Sequence, residues 1–265
     1  MEKSKLLDRV EAAGDDRILM ARVLDKLEQA RVRNIPACTG FLSPQEQKMA
    51  LELLRAAGAG TEDHVLLGGY EGAERRLILF LPDWLAPEEA ESQSPLRWLR
   101  AEYRPEYGLT HRDILGSLMG LGVVREKIGD LLVSPDSCDL PVLDTVAEFL
   151  LQSWDLAGRA ALKIRPIEVQ EVRLPEIRCR EIRDTVQTLR LDALAATGFQ
   201  MSRAKAAALI EGGKIQVNWR DCVKPDHLLA EGDSVTARGF GKFEVAAVGG
   251  VTRKGRTSVV LRRYE

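Results

Sequence analysis

The sequence predicts an α+β protein in three parts, and three observations support that prediction. Apolar residues at helical spacing fill positions 1–60, short strands alternate with helices over 61–170, and two short helices followed by several strands occupy 190–265. Residues 171–189 are charged, include Pro175, and read as a linker or a short strand. Hydrophobic residues make up 45% of the chain and charged residues 29%, as in a soluble globular protein. Aromatics are only 5%, so the cores must rest on Leu, Val, Ile and Ala.

In the first part, Leu6, Leu7, Val10, Ile18, Leu19, Val23, Leu24 and Leu27 recur at intervals of three and four. Gly14 breaks this run, and Asp15 or Asp16 is suited to cap the second helix. A third helix starts at Ser43 as N-cap with Pro44 in its first turn, and Gly58 and Gly60 stop it. In the second part, 64–69 and 75–82 read as strands around the Gly-rich turn 68–72, and 95–103 reads as a third strand. THRDILGSLMGLG reads as a helix capped by Thr110. A strand near 130–133, a helix over 140–154 and a strand over 161–169 follow. One sheet with two helices, resembling an RNA-recognition-motif fold, is the simplest arrangement of 61–170.

In the third part, 191–197 and 203–211 read as helices, with Gly198 as a left-handed cap of the first and Ser202 as N-cap of the second. Strands are expected over 214–218 and 234–238, and over 243–264 as a hairpin turning at Lys254 and Gly255. Net charge divides unevenly along the chain. From Glu171 onward there are 17 Lys+Arg against 12 Asp+Glu, whereas the preceding residues hold 21 against 28. That asymmetry points the C-terminal part toward a polyanion.

The residues of this part suit RNA. Ser202 and Arg203 sit in a first helical turn, where free N–H groups and the helix dipole favour phosphate, and Lys205 adds charge. Lys214, Arg220, Arg238 and Lys242 fall at strand ends and loops, while Arg253, Lys254 and Arg256 crowd the last turn. This spacing fits a phosphate backbone better than one small acidic ligand. Trp219, next to Asn218 at a strand end, is placed to stack on an unpaired base. For any one of these cations the plain alternative is a solvated charge; for Trp219 it is packing.

The string RLD…GFQMSRAKAAALIEGGKIQVN…P…GDSVTARGFG resembles the S4-like RNA-binding domain, the alpha-L fold, over about 55 residues. GFQMSRAKA, VNW, RGFGKFEV and the terminal TRKGR, together with HRDILGSLMGLGVVREKIGDLLV in the middle, resemble the YlmH family in particular. The resemblance implies an RNA-recognition-motif-like domain followed by an alpha-L domain acting on rRNA and tRNA. It also implies a link to the large ribosomal subunit and to the rescue of stalled nascent chains. In other relatives it carries cell-division or photosystem II labels. By the same resemblance Ser202, Arg203, Lys205 and Lys214 fall where alpha-L domains touch RNA. Trp219 stands where most such domains have Gly after Asn, which changes the turn.

Enzyme readings are weaker. His111-Arg112-Asp113 is like a kinase catalytic loop but lacks its companion motifs, and Asp113 is better read as a first-turn residue. His111, Arg112, Arg125 and Lys127 are instead candidates for a second RNA or protein contact. Arg190-Leu191-Asp192 is similar to a pseudouridine-synthase motif, yet too little chain follows for that catalytic domain. The four cysteines are scattered, no metal site or cofactor motif is visible, and none is expected. With no signal-like N-terminus and no apolar run near the ~20 residues of a membrane span, the expected setting is the cytoplasm. DNA and membrane are not expected partners. Two other functions compete with a ribosome-associated RNA binder: an RNA-modifying enzyme with its site in the middle part, and a scaffold for cell division or photosystem assembly.

Overall fold

The computed structural model describes residues 3–10, 12–174, 179–252 and 255–264; of Arg220 only the backbone is described. The chain forms two compact units, Met1–Pro175 and Glu176–Glu265.

The first unit begins with α1 (Lys3–Arg9) and α2 (Gly14–Arg33), then β1 (Ala37–Cys38), α3 (Pro44–Ala56), β2 (His64–Leu67) and β3 (Leu77–Phe80). Asp15 and Asp16 lie inside the first turn of α2 rather than capping it; Ala13 is the N-cap, with no side-chain cap bond, so the two carboxylates act only on the helix dipole. Ser43 caps α3 as expected, and Glu46 reaches back to the Ser43 amide to complete a capping box. The two strands expected to join the middle sheet pair elsewhere. β2 and β3 form a three-stranded sheet with β1, in the order β1-β3-β2. Ile78 and Phe80 of β3 pack under α2 and α3, because a strand this apolar on both faces needs cover on both.

The sequence then runs through β4 (Leu96–Glu102), α4 (His111–Gly120), β5 (Leu132–Val133), β6 (Ser137–Leu143) and α5 (Asp144–Ser153). The small hairpin β7 (Leu156–Ala157) and β8 (Ala160–Ala161) follows, and β9 (Lys163–Ile167) ends this part. The helix expected from position 140 starts at Asp144; the preceding residues pair with β4 along its whole length. The antiparallel order β5-β6-β4-β9 is that of the split βαβ fold to which RNA-recognition motifs belong. Leu99 and Ala101 face α4 and α5 in one core. On the other face Trp98, Leu132 and Ile167 pack with Tyr70 and Val172. Arg100 and Asp139 also lie there, joined at 2.6 and 2.7 Å and almost wholly buried.

The second unit holds β10 (Cys179–Val186), α6 (Leu191–Gly198), α7 (Arg203–Glu211), β11 (Ile215–Val217), β12 (Arg220–Asp221), β13 (Ser234–Ala237), β14 (Gly241–Val251) and β15 (Thr257–Tyr264). Of the two readings for 171–189, residues 179–186 take the strand, pairing with β15 over eight residues. The sheet order is β10-β15-β14-β13-β11-β12, with α6 and α7 closing its apolar face around Leu194, Ala206, Ile210, Val235 and Phe243. Gly198 is not a left-handed cap. It is the last residue of α6, and a Cβ there would stand 2.5 Å from a Phe243 ring carbon, so close packing is what requires glycine. The left-handed residue is Gln200, φ 54°.

Candidate nucleic-acid interface

α7 opens at Ser202, whose hydroxyl accepts from the Lys205 amide at 3.2 Å, so the exposed first turn points its remaining N–H groups outward. Beside it lies Asp192, 5% exposed, from the first turn of α6. Its carboxylate accepts from Arg203 Nε and Nη2 at 3.0 and 3.1 Å and from Arg190 Nε and Nη2, both at 3.2 Å. Burial pushes this carboxyl up, but the hydrogen bonds from Arg190 and Arg203 outweigh it and hold the group below the ordinary Asp value. One buried anion thus orients two guanidiniums that stay partly in solvent, leaving the trio with a net positive charge. Asp192 thus positions Arg190 together with Arg203, a pairing that reading Arg190–Asp192 only as an enzyme-like motif passes over.

A second group forms around the turn between β13 and β14. Lys205 Nζ lies 4.9 Å from the centre of the Phe240 ring, and Lys242 Nζ lies 5.0 Å from Trp219 and 5.4 Å from Tyr264. The Arg238 amide donates to the Lys214 carbonyl at 3.1 Å, which sets these two exposed side chains at one end of the sheet. Trp219 is half-buried. With Asn218 it forms a two-residue turn between β11 and β12 in which both residues have positive φ, 49° and 62°. This is the conformation that Asn-Gly ordinarily supplies, so the indole is held in place at a backbone cost of about 1–2 kcal/mol. Asn218 is used internally: its amide nitrogen donates to Asp233 at 2.7 Å and its amide oxygen accepts from the Ser234 amide at 2.9 Å. Arg220 pairs through its backbone with Val217. Arg253 and Lys254 lie outside the described residues, and Arg256 donates to the carbonyl and hydroxyl of Thr185.

In the first unit His111 and Arg125 lie within electrostatic reach of each other. Asp113 is spent in a capping box with Thr110, accepting from its amide at 2.9 Å and its hydroxyl at 2.6 Å. Arg125 donates to the carbonyls of Ile128 and Gly129 at 2.7 and 2.8 Å; burial, and then the neighbouring charge of Arg75, bring its pKa down to about 10. Burial, then Arg125, lower the pKa of His111 as well. Lys127 stands 3.5 Å from the Thr145 hydroxyl, Arg112 is exposed, and Glu126 lies 3.9 Å from Arg22. Among the described residues no group of three His, Cys, Asp or Glu is placed to hold a metal ion, and no helix is long and apolar enough to cross a membrane.

Residues 99–171 match the family model described as "Putative RNA-binding domain in YlmH", and 189–235 match the S4 domain. The chain is 32% identical over 228 residues to the ribosome-associated protein quality control protein P2 of Bacillus subtilis (strain 168), covering 86% of this chain and 87% of that protein. A solved structure, the cell division protein ylmH from Streptococcus pneumoniae, aligns with a TM-score of 0.48 at 20% identity, covering 60% of this chain and 94% of that one.

Proposed function

Because the chain belongs to the YlmH-like family, we propose that it binds RNA through the cationic and aromatic end of its six-stranded sheet and acts as a non-enzymatic, ribosome-associated adaptor in the cytoplasm. The observation that carries this reading is the placement of Lys205 over Phe240, in the helical turn that begins with Arg203 of the Arg190–Asp192–Arg203 trio, and of Lys242 over Trp219 and Tyr264. Cations fixed against ring faces suit a substrate that alternates phosphates with flat bases. The contact residues are Ser202, Arg203, Lys205, Lys214, Trp219, Arg238 and Lys242, to which Arg190 is added. The relative's name speaks of the ribosome; for this chain we assign rRNA or tRNA of the large subunit as the target. The capping role of Asp113 favours binding over catalysis, since its carboxylate is taken up at the start of α4.

The test is sedimentation of the tagged protein through sucrose gradients of lysate at low and high salt. Co-migration with large subunits, released by salt and by Arg203→Ala with Lys205→Ala, is the expected result. The double variant should also flatten the dependence of log affinity on log salt by about 0.7–0.9 for each phosphate it no longer neutralises. Protein that stays at the top of the gradient at low salt overturns the ribosomal assignment. An unchanged salt slope in the double variant overturns the face.

A further inference from the structure

We propose that the cavity at the open end of β10 and β15 takes one nucleotide of single-stranded RNA, a contact built largely by strands outside the 189–235 stretch that the S4 model matches. This inference rests on the RNA-binding reading above and extends its surface. The cavity measures about 440 Å³ and is lined by Arg180, Gln200, Phe240, Gly241, Arg263 and Tyr264. Only Gln200 of these lies within the matched stretch.

Three features give the cavity its chemistry. First, Arg180 and Arg263 stand directly opposite each other on β10 and β15. Directly opposed like charges destabilise an antiparallel pair, and a phosphodiester bridging the two guanidiniums turns that repulsion into attraction. Arg263 donates through Nη1 to the Gly198 carbonyl at 3.3 Å, which steers the side chain while leaving most of its five N–H donors for a ligand. Among the described residues neither arginine is ion-paired with a carboxylate.

Second, the wall holds the Phe240 ring, with Lys205 over it as a third cation near the rim, while the Tyr264 ring turns to the other face, under Lys242. A ring-lined site flanked by guanidiniums matches a base joined to its phosphate, and the volume lies in the range of small-ligand pockets, about 300–1,000 Å³. Third, Gln200 occupies the left-handed region at φ 54°, a conformation uncommon outside Gly, Asn and Asp, and it presents an amide able to meet a base edge. Lys205 links this cavity to the α7 first turn, so a strand of RNA running along that turn reaches it without a gap in positive charge.

The experiment measures anisotropy of a fluorescein-labelled 12-nucleotide oligouridylate with the full chain, its Arg180→Gln and Arg180→Lys variants, and Lys205→Ala, across a salt series. Arg180 is exposed on an edge strand, so its replacement leaves the core intact, which circular dichroism checks. The expected result is binding about fivefold weaker in Arg180→Gln, partial recovery in Arg180→Lys, and a salt slope lower by about 0.7, the value for one single-strand phosphate contact. If Arg180→Gln binds like the parent chain while Lys205→Ala is weakened, the cavity inference fails and the wider interface stands. If the parent chain does not bind the oligomer, both fail. If AMP alone binds tightly through Arg180 while oligomer affinity is unchanged in Arg180→Gln, the cavity is a free-nucleotide site and the inference is overturned.

Discussion

The two units of this protein treat arginine and aspartate in opposite ways. In the four-stranded sheet, Arg100 and Asp139 form a pair with side chains 4% and 1% exposed. Residues after β9 close over that pair: the Glu171 carbonyl accepts from Arg100 at 2.7 Å and the Arg173 amide donates to Asp139 at 2.8 Å. This is the face on which an RNA-recognition motif stacks bases, and here Trp98 lies under Tyr70 and Val172. In the second unit one buried aspartate at the start of α6 holds two arginines that stay partly exposed. The same charge pair therefore seals one surface and equips another. What separates them is stoichiometry: one anion for one cation cancels, whereas one anion for two leaves charge for a ligand.

The comparison can be broken most strongly at the sealed face. Arg100→Ala leaves Asp139 buried without its partner and should cost about 3–5 kcal/mol in chemical denaturation, while replacing both residues with apolar ones of similar volume should cost far less. Equal losses in the two variants would mean that the pair itself, and not the orphaned charge, stabilises the sheet. Next in size is Gly198→Ala. Its new methyl would meet the Phe243 ring, so a loss of about 1–3 kcal/mol is expected from overpacking, and a loss under about half a kcal/mol would show that α6 shifts freely over the sheet.

Asp192→Asn tests the open face. Because the folded pKa of Asp192 lies below the ordinary value of about 3.9, its stabilising contribution is full above that pH and is lost as pH falls through the lower folded value. The variant should lose about 1–2 kcal/mol near neutrality, a charged hydrogen-bond effect, and the gap between it and the parent should shrink in acid. It should also weaken RNA binding by releasing Arg190 and Arg203, although it adds net positive charge. Tighter binding would show that charge count, not guanidinium placement, governs the interface. The smallest effect is expected for Trp219→Gly, which relieves a left-handed residue and should stabilise the fold by up to about 1 kcal/mol while reducing affinity for unpaired RNA. A stability gain with no change in affinity would remove the indole from the interface.

Much of the fold is legible in residue order. The caps Ser43, Thr110 and Ser202 are local, and each hydroxyl accepts from a helix amide as its position implies. Apolar spacing locates α2, and cap or stop residues bound α3, α4, α6 and α7, because both signals depend only on near neighbours. Strand partners are harder: β2 and β3 are strands as expected and pair with each other, yet the pairing of β3 with β1 depends on residues some forty positions away. The reason for Gly198 is hidden for the same cause, since the ring that excludes a Cβ comes from β14. In the site, Lys205, Lys242 and Trp219 are visible as types at plausible positions. That Lys242 lies over Trp219, that Asn218 is spent on Asp233 and Ser234, and that Arg180 faces Arg263 are not.

The sequence by itself determined the α+β class, the family and the concentration of positive charge after residue 171, because these follow from composition, periodicity and a dense local motif. Tertiary structure decided which cations remain available. Arg100, Arg125 and Arg256 are each absorbed by a carboxylate, a carbonyl pair or a threonine brought from elsewhere in the chain or from a neighbouring turn. Arg203 and Arg190 share one carboxylate and keep solvent access. A guanidinium's role is set by how many acceptors the fold places around it, and that number is a property of three-dimensional neighbours rather than of residue order.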